Sequence, residues 1–125
     1  MMHAVQFQLR PARGTKKEAA VDRGKLPRVT QVLALALQFD DMIRRGVARD
    51  HADLARLGCI SKERISQIMR LVWLAPDIQQ EILTLPRTAR GRCPVGEAAL
   101  RGIASMMLWA EQRAAWGRVA AQNLR

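Results

Sequence analysis

Residues 50–72 read DHADLARLGCISKERISQIMRLV, and the spacing of their apolar positions decides the fold. Leu54, Ala55 and Leu57 make one apolar face of a first short helix, opened by Asp50 or His51. Gly58 and Cys59 supply the reversal, Ile60 plugs the corner, and Ser61 is a good N-cap for a second helix. In that helix, 61–72, the residues Ile65, Ile68, Met69 and Val72 recur at three- and four-residue spacing and so face inward. Lys62, Glu63, Arg64, Ser66, Gln67 and Arg70 are left facing out. Such a face suits a DNA major groove, where Arg, Lys, Gln and Ser reach base edges and phosphates. The pattern predicts a helix-turn-helix. That motif usually carries Gly where this chain has Cys59, and here the glycine sits one residue earlier, at Gly58. Any helical hairpin has an Ala, a Gly and some Ile; a match this complete in so basic a chain favours the DNA reader.

Upstream, Leu26-Pro27 opens the folded part. From about Val29 to Arg45, apolar residues Val32, Leu33, Leu35, Ala36, Leu37, Phe39, Met42 and Ile43 predict a helix whose apolar face widens in its middle. Gly46 ends it as a C′ residue, with Arg44 and Arg45 in its last turn. Downstream, Pro76 suits the first turn of another helix, about 76–84, with Asp77 complementing its positive end. Its buried stripe is Ile78, Ile82 and Leu83, and Pro86 marks its limit. Residues 87–94, RTARGRCP, form a basic loop. A last helical segment runs over about 96–122, interrupted near Gly102 to Ser105. Ile103, Met106, Trp109, Arg113, Trp116 and Ala120 fall along one face of it. A stripe so large at a chain end predicts a dimer seam of Ile103, Met106, Trp109, Trp116 and Ala120; the competing reading is that both indoles close the monomer's own core.

At the start, Val5, Phe7 and Leu9 alternate with polar residues, a strand pattern over 4–9, either an arm pairing with a second subunit or a frayed end. Residues 10–26 have no apolar period, so 1–26 is expected to be a flexible basic arm. The expected layout is thus all-α. A helix-turn-helix domain spans 27–86, the arm precedes it, and a basic loop with a C-terminal helical extension follows at 87–125.

Charge fits a polyanionic partner. The 125 residues carry a net charge of +10. Residues 1–28 hold seven basic side chains against two acidic, and residues 87–125 the same, +5 in each; residues 29–86 hold seven of each sign and are neutral. Much of the non-specific affinity is therefore expected from the flanks, through Arg10, Arg13, Lys16 and Lys17 of the arm and Arg87, Arg90 and Arg92 of the loop. The competing reading is a solvated basic tail kept for solubility.

With the helices placed, ARLGCISKERISQIMRLVWLAPDIQQEIL resembles the helix-turn-helix of the ParB/KorB family of DNA-binding proteins. Leu54, Ala55, Leu57, Gly58, Ile65, Leu71, Leu74, Pro76, Ile78 and Gln79 carry the resemblance, over roughly residues 30–85. It implies a helical DNA-binding domain, often dimeric, that reads an inverted repeat. It does not imply partition activity, because the family's Gly-Glu-Arg-Arg motif is absent from this sequence. The stretch from LPRV to LAPDIQQEIL is also similar to small helix-turn-helix proteins encoded beside site-specific recombinases on mobile elements, which implies an accessory or regulatory role.

No catalytic constellation is expected. The chain has no Tyr, and Ser61, Ser66 and Ser105 include no nucleophile with a base. Asp40 and Asp41 are adjacent on a helix and point apart. Cys59 and Cys93, with only His3 and His51, give no zinc spacing and no disulfide framework; Cys59 is expected to be a small buried turn residue and Cys93 an incidental loop thiol. Neither a cofactor nor a metal is expected. The longest apolar run, Val32 to Leu37, is six residues, far short of the ~18 of a membrane span, and the start lacks a signal-peptide core, so a cytoplasmic, nucleoid-associated protein is expected.

Three functions are open to such a chain. The first is sequence-specific reading of duplex DNA by a homodimer, as a transcriptional regulator or recombination accessory factor. There Lys62, Glu63, Arg64, Ser66 and Gln67 read bases, while Arg49, Arg56, Ser61 and Arg70 hold phosphates. The second is binding of RNA or single-stranded nucleic acid through the basic arms and Trp109/Trp116. The third is an adaptor whose C-terminal helix docks a site-specific recombinase or polymerase.

Overall fold

The structure is a computed structural model that describes residues 24–87 and 95–123. Among the described residues it is all-helical: α1 (Arg28–Arg44), α2 (His51–Gly58), α3 (Lys62–Met69), a 3₁₀ turn η1 (Arg70–Trp73), α4 (Pro76–Leu83), α5 (Glu97–Ala104) and α6 (Trp109–Asn123). The strand pattern at 4–9 and nearly all of the 1–26 arm lie outside the described residues, as do residues 88–94 of the basic loop. No helix among the described residues is long and apolar enough to cross a membrane.

Helix α1 is the hub, packing against α3, η1 and α4. Its apolar face closes over Phe39 at the centre, with Val32, Leu33, Leu35 and Ala36 buried beside it. Leu37 and Ile43 are only half-buried, at the edges of that face. Gly46 at φ +79 ends the helix: its N–H donates to the Ile43 carbonyl at 3.1 Å, and the Val47 N–H donates to the Met42 carbonyl at 2.9 Å. This is the paired reversal that favours a glycine at C′. Near its start, the Thr30 hydroxyl donates to the Ile82 carbonyl at 2.7 Å and ties α1 to α4.

The 50–72 stretch forms two helices joined by a three-residue turn. The Asp50 carboxylate accepts from the Asp53 N–H at 3.0 Å, so Asp50 is the cap and His51 the first helical residue. The reversal falls on Cys59, at φ 55 and ψ 40, the left-handed region where the motif usually carries glycine. Cys59 is exposed rather than buried, because the backbone at this position, and not the thiol, makes the turn. The Ser61 hydroxyl accepts from the Arg64 N–H at 3.1 Å and caps α3. Ile65 and Ile68 are fully buried, as their spacing predicts.

Past Met69 the register departs from the sequence pattern, which predicts one α-helix over 61–72 with Val72 inward. Instead Arg70–Trp73 tightens to 3₁₀, which adds about 20° of rotation per residue. The tightening takes Leu71 fully into the core and leaves Val72 half-buried and Trp73 in solvent. Pro76 then starts α4 at its first turn, with Asp77 beside it.

The C-terminal segment is helical but breaks slightly later than its sequence suggests, over 105–108. The Ser105 hydroxyl donates to the Gly102 carbonyl at 2.6 Å, competing with continued helix there. Helices α5 and α6 share the one buried cluster with α1–α4 through Val95, Leu100, Ile103, Ala104, Ala115 and Trp116. The clamp is Gln112, 1% exposed. Its amide oxygen accepts from the Ala75 N–H at 2.7 Å, and its nitrogen donates to the Trp73 carbonyl at 3.1 Å and the Met106 carbonyl at 3.0 Å.

Two stability outcomes are expected. Gln112→Leu adds apolar surface yet strands three inward backbone groups. It should cost about 2–4 kcal/mol in urea unfolding, at ~1–3 kcal/mol for each group that finds no water. Cys59→Gly removes the left-handed strain and should raise stability by about 0.5–1 kcal/mol, seen as a higher thermal midpoint.

Candidate nucleic-acid interface

The capped turn sets α3 with Ile65 and Ile68 against the core and the opposite side in solvent. Lys62, Glu63, Gln67 and Arg70 are all exposed there. Of the α3 face predicted from the sequence, these four positions present open side-chain surface, whereas Arg64 and Ser66 are half-buried. The Ser66 hydroxyl lies 3.4 Å from Nδ1 of His51, facing the start of α2 rather than open solvent.

Arg64 is committed elsewhere. Its Nη1 and Nη2 donate to the two carboxylate oxygens of Glu97, at 2.6 and 2.9 Å, across 33 residues of sequence. Nη1 also donates to Oε1 of Gln67 at 3.1 Å. Arg101 donates to the same Glu97 oxygen from one turn along α5, at 2.5 Å. The hydrogen bonds from Arg64 hold the Glu97 carboxyl below the usual carboxylate range, with the nearby charges of Arg64, Arg101 and Arg28 acting in the same direction. With the Glu97 side chain only 15% exposed, this fork is a tertiary contact between α3 and α5. The fork uses Nη1 and Nη2, so both terminal nitrogens of the guanidinium are engaged by Glu97.

The phosphate candidates behave differently from one another. Ser61 spends its hydroxyl on the α3 cap. Arg49 and Arg56 flank Asp53, whose carboxylate accepts from the Arg49 N–H at 3.0 Å and from the Arg56 guanidinium. The Arg49 N–H, first, and then Arg56 hold the Asp53 carboxyl below its ordinary range. Both arginine side chains are nonetheless mostly in solvent, 85% and 68% exposed, and can swing to an outside anion. Arg87 is exposed and donates to the Gly24 carbonyl at 3.3 Å. Arg10, Arg13, Lys16, Lys17, Arg90 and Arg92 lie outside the described residues.

The expected dimer stripe is divided. Ile103 and Trp116 are 4% exposed, inside the chain's own core, and the Trp116 indole N–H donates to Oε1 of Glu81 at 2.8 Å. Met106 and Ala120 pack half-buried against that core, and Trp109 alone is in the open, 49% exposed. These five residues therefore form no single exposed seam, because α6 turns the Trp116 side of its stripe onto α4. Trp73 is 73% exposed, and no periodicity in the sequence marks it out for a role. The partnership of Glu97 with Arg64 is equally silent in the sequence. The Glu97/Arg101 pair is visible as an i, i+4 spacing, but nothing local points from it to α3.

Compared with known proteins, the chain matches no family model, no curated protein and no solved structure.

The fork carries a pH dependence. Glu97 has a lowered folded pKa, so its contribution is fully present above the ordinary value near 4.5 and is lost as pH falls through the lowered one. Glu97→Gln should therefore cost about 1–3 kcal/mol at pH 7. The gap to wild type should narrow as pH falls below ~4.5, because both proteins then come to carry a neutral side chain there. Urea unfolding of both proteins at pH 7 and pH 3 checks this; a gap that stays constant would show that the charge on Glu97 does nothing.

Proposed function

We propose that this chain is a sequence-specific double-stranded DNA-binding protein that inserts α3 into the major groove. What supports the reading is the polar face of α3. Lys62, Glu63, Gln67 and Arg70 stand in solvent, opposite Ile65 and Ile68, on a helix held by the Ser61 cap behind a left-handed turn. The +10 charge supplies attraction to phosphates independent of sequence. In this reading Gln67 pairs with an adenine edge, Lys62 with a guanine edge, and Glu63 accepts from cytosine or excludes its rivals. Arg70, Arg56 and Arg49 hold phosphates and set the register. Arg64 serves twice, anchoring α5 through Glu97 and offering its remaining edge to a base. The chain acts without a catalytic step of its own, on the nucleoid in the cytoplasm, as a regulator or a recombination accessory factor beside a recombinase.

The test is selection of bound sites from a random duplex pool, followed by variants on the selected site. Gln67→Ala should cost about 1–3 kcal/mol there and relax preference at one base pair. Arg70→Ala should weaken all duplexes alike and lower the slope of log affinity against log salt by ~0.9. Gln67 is the decisive position, because its exposed side chain contributes little to the fold whereas Arg64 contributes to both. A Gln67→Ala protein that binds selected and random duplex as the wild type does would overturn the reading.

A further inference from the structure

Five large hydrophobic side chains are prominently exposed among the described residues, and four of them gather in one place: Trp73 at 73%, Met107 at 91%, Leu108 at 60% and Trp109 at 49%. Trp73, Met107 and Trp109 line a single open cleft of about 750 Å³, floored by Met69 and Met106. We infer that this patch is the seam against a second copy of the chain.

The patch is built rather than frayed. Its two segments, at 73 and 106–109, lie more than thirty residues apart, and the buried Gln112 amide bonds the Trp73 and Met106 carbonyls at once. Arg113 stacks over the Trp109 ring, 5.8 Å from its centroid, and is itself held by the Asp77 carboxylate at 3.0 and 3.1 Å. Four side chains of this size expose on the order of 500 Å² of apolar surface, much of the ~800 Å² that each partner gives to a standard interface. A monomer gains nothing by leaving them in water.

Charge selects the occupant. Asp40 and Arg70 share the cleft, and Arg113, over the Trp109 ring, is paired with Asp77, so these groups carry both signs in equal number. On a chain of +10 this is a neutral window, where two copies can meet without mutual repulsion and a two-fold axis can set acid against base. A single-stranded nucleic acid stacking on the indoles would find no net positive charge there, since an aspartate accompanies each arginine. A helical peptide from another protein would leave the matched rim charges without a reason.

The patch also bears on the proposed DNA reading, and this step alone rests on that reading. Trp73 lies six residues beyond Gln67 on a continuous α3–η1 run. A two-fold seam at Trp73 relates the two polar faces by the same axis and predicts an inverted-repeat site.

The closing experiment uses the full chain without DNA. Sedimentation equilibrium should show a dimer at tens of micromolar, and Trp73→Arg and Leu108→Arg should each weaken association by tenfold or more. Both variants should keep wild-type helicity, since each side chain lies mostly in solvent. As a check independent of folding in the variants, wild-type indole fluorescence should shift to the blue as concentration rises through the association range. A wild type that stays monomeric at millimolar concentration, variants that dimerise as the wild type does, or a concentration-independent emission spectrum would each overturn the seam. Quenching by oligo(dT) in a wild type that stays monomeric would overturn it in favour of base stacking. None of these outcomes depends on duplex binding, so failure of the seam leaves the DNA reading untouched, and the reverse.

Discussion

One buried side-chain amide holds the C-terminal half to the rest. Gln112 is an acceptor and a double donor in an apolar interior, and all three capacities are used on backbone groups at the ends of helices. The Ala75 N–H is a donor at the start of α4, and the Trp73 and Met106 carbonyls are acceptors at the end of η1 and in the α5–α6 break. Each would carry a desolvation cost if left alone. One residue thereby lets three chain ends meet inside the core. Because the bonds go to backbone, they fix the path of the chain and leave the side chains of Trp73 and Met107 to point outward.

The Arg64–Glu97 fork is the second long-range constraint, and it joins stability to the proposed reading. A free arginine on α3 would be a flexible point of attraction for any phosphate. An arginine held by a carboxylate, with Gln67 as a further partner, keeps little rotamer freedom, which in the proposed reading would preorganise it for DNA. Its charge is also offset by Glu97. In the proposed reading the arrangement would lower indiscriminate attraction at the α3 face and leave that attraction to the flanks, consistent with a neutral stretch over 29–86 between two segments of +5. Packing α5 against α3 is what makes this possible, so the C-terminal segment belongs to the chemistry of the face.

Much of what neighbours within a turn or two set was legible in the sequence, the tightening at η1 and the exposure of Cys59 excepted. The Ser61 cap, the Gly46 reversal, the Pro76 start and the inward Ile65 and Ile68 each follow from a local rule about backbone donors, left-handed φ or helical period. Cys59 in the left-handed position was legible only as a departure, because a thiol there spends conformational energy that no local pattern explains. What distance hid was partnership. Glu97 with Arg64, Gln112 with Ala75 and Trp116 with Glu81 are separated by 33 to 37 residues, and no periodicity connects them. The tryptophan stripe failed for a related reason. Trp109 and Trp116, seven apart, do share a helical face, but Trp109 stands at the start of α6 and overhangs solvent while Trp116, two turns on, reaches α4.

The 3₁₀ turn is where these constraints meet. Had α3 continued as α-helix through Trp73, Val72 would have faced the core more fully than Leu71, and the indole would have lain nearer the Met69 side. Tightening by about 20° per residue over the turn reverses that choice: Leu71 goes in, and Trp73 turns toward the side that carries Arg70. The cost is poorer hydrogen-bond geometry in η1, offset by a fully buried leucine and by the Gln112 bond to the Trp73 carbonyl. A single run of helix therefore carries a polar face at its start and an apolar one at its end. Any movement of η1 that exposes Leu71 must also turn Trp73 and shift the far end of α3. The proposed reading face and the inferred seam thus lie on one continuous run of helix.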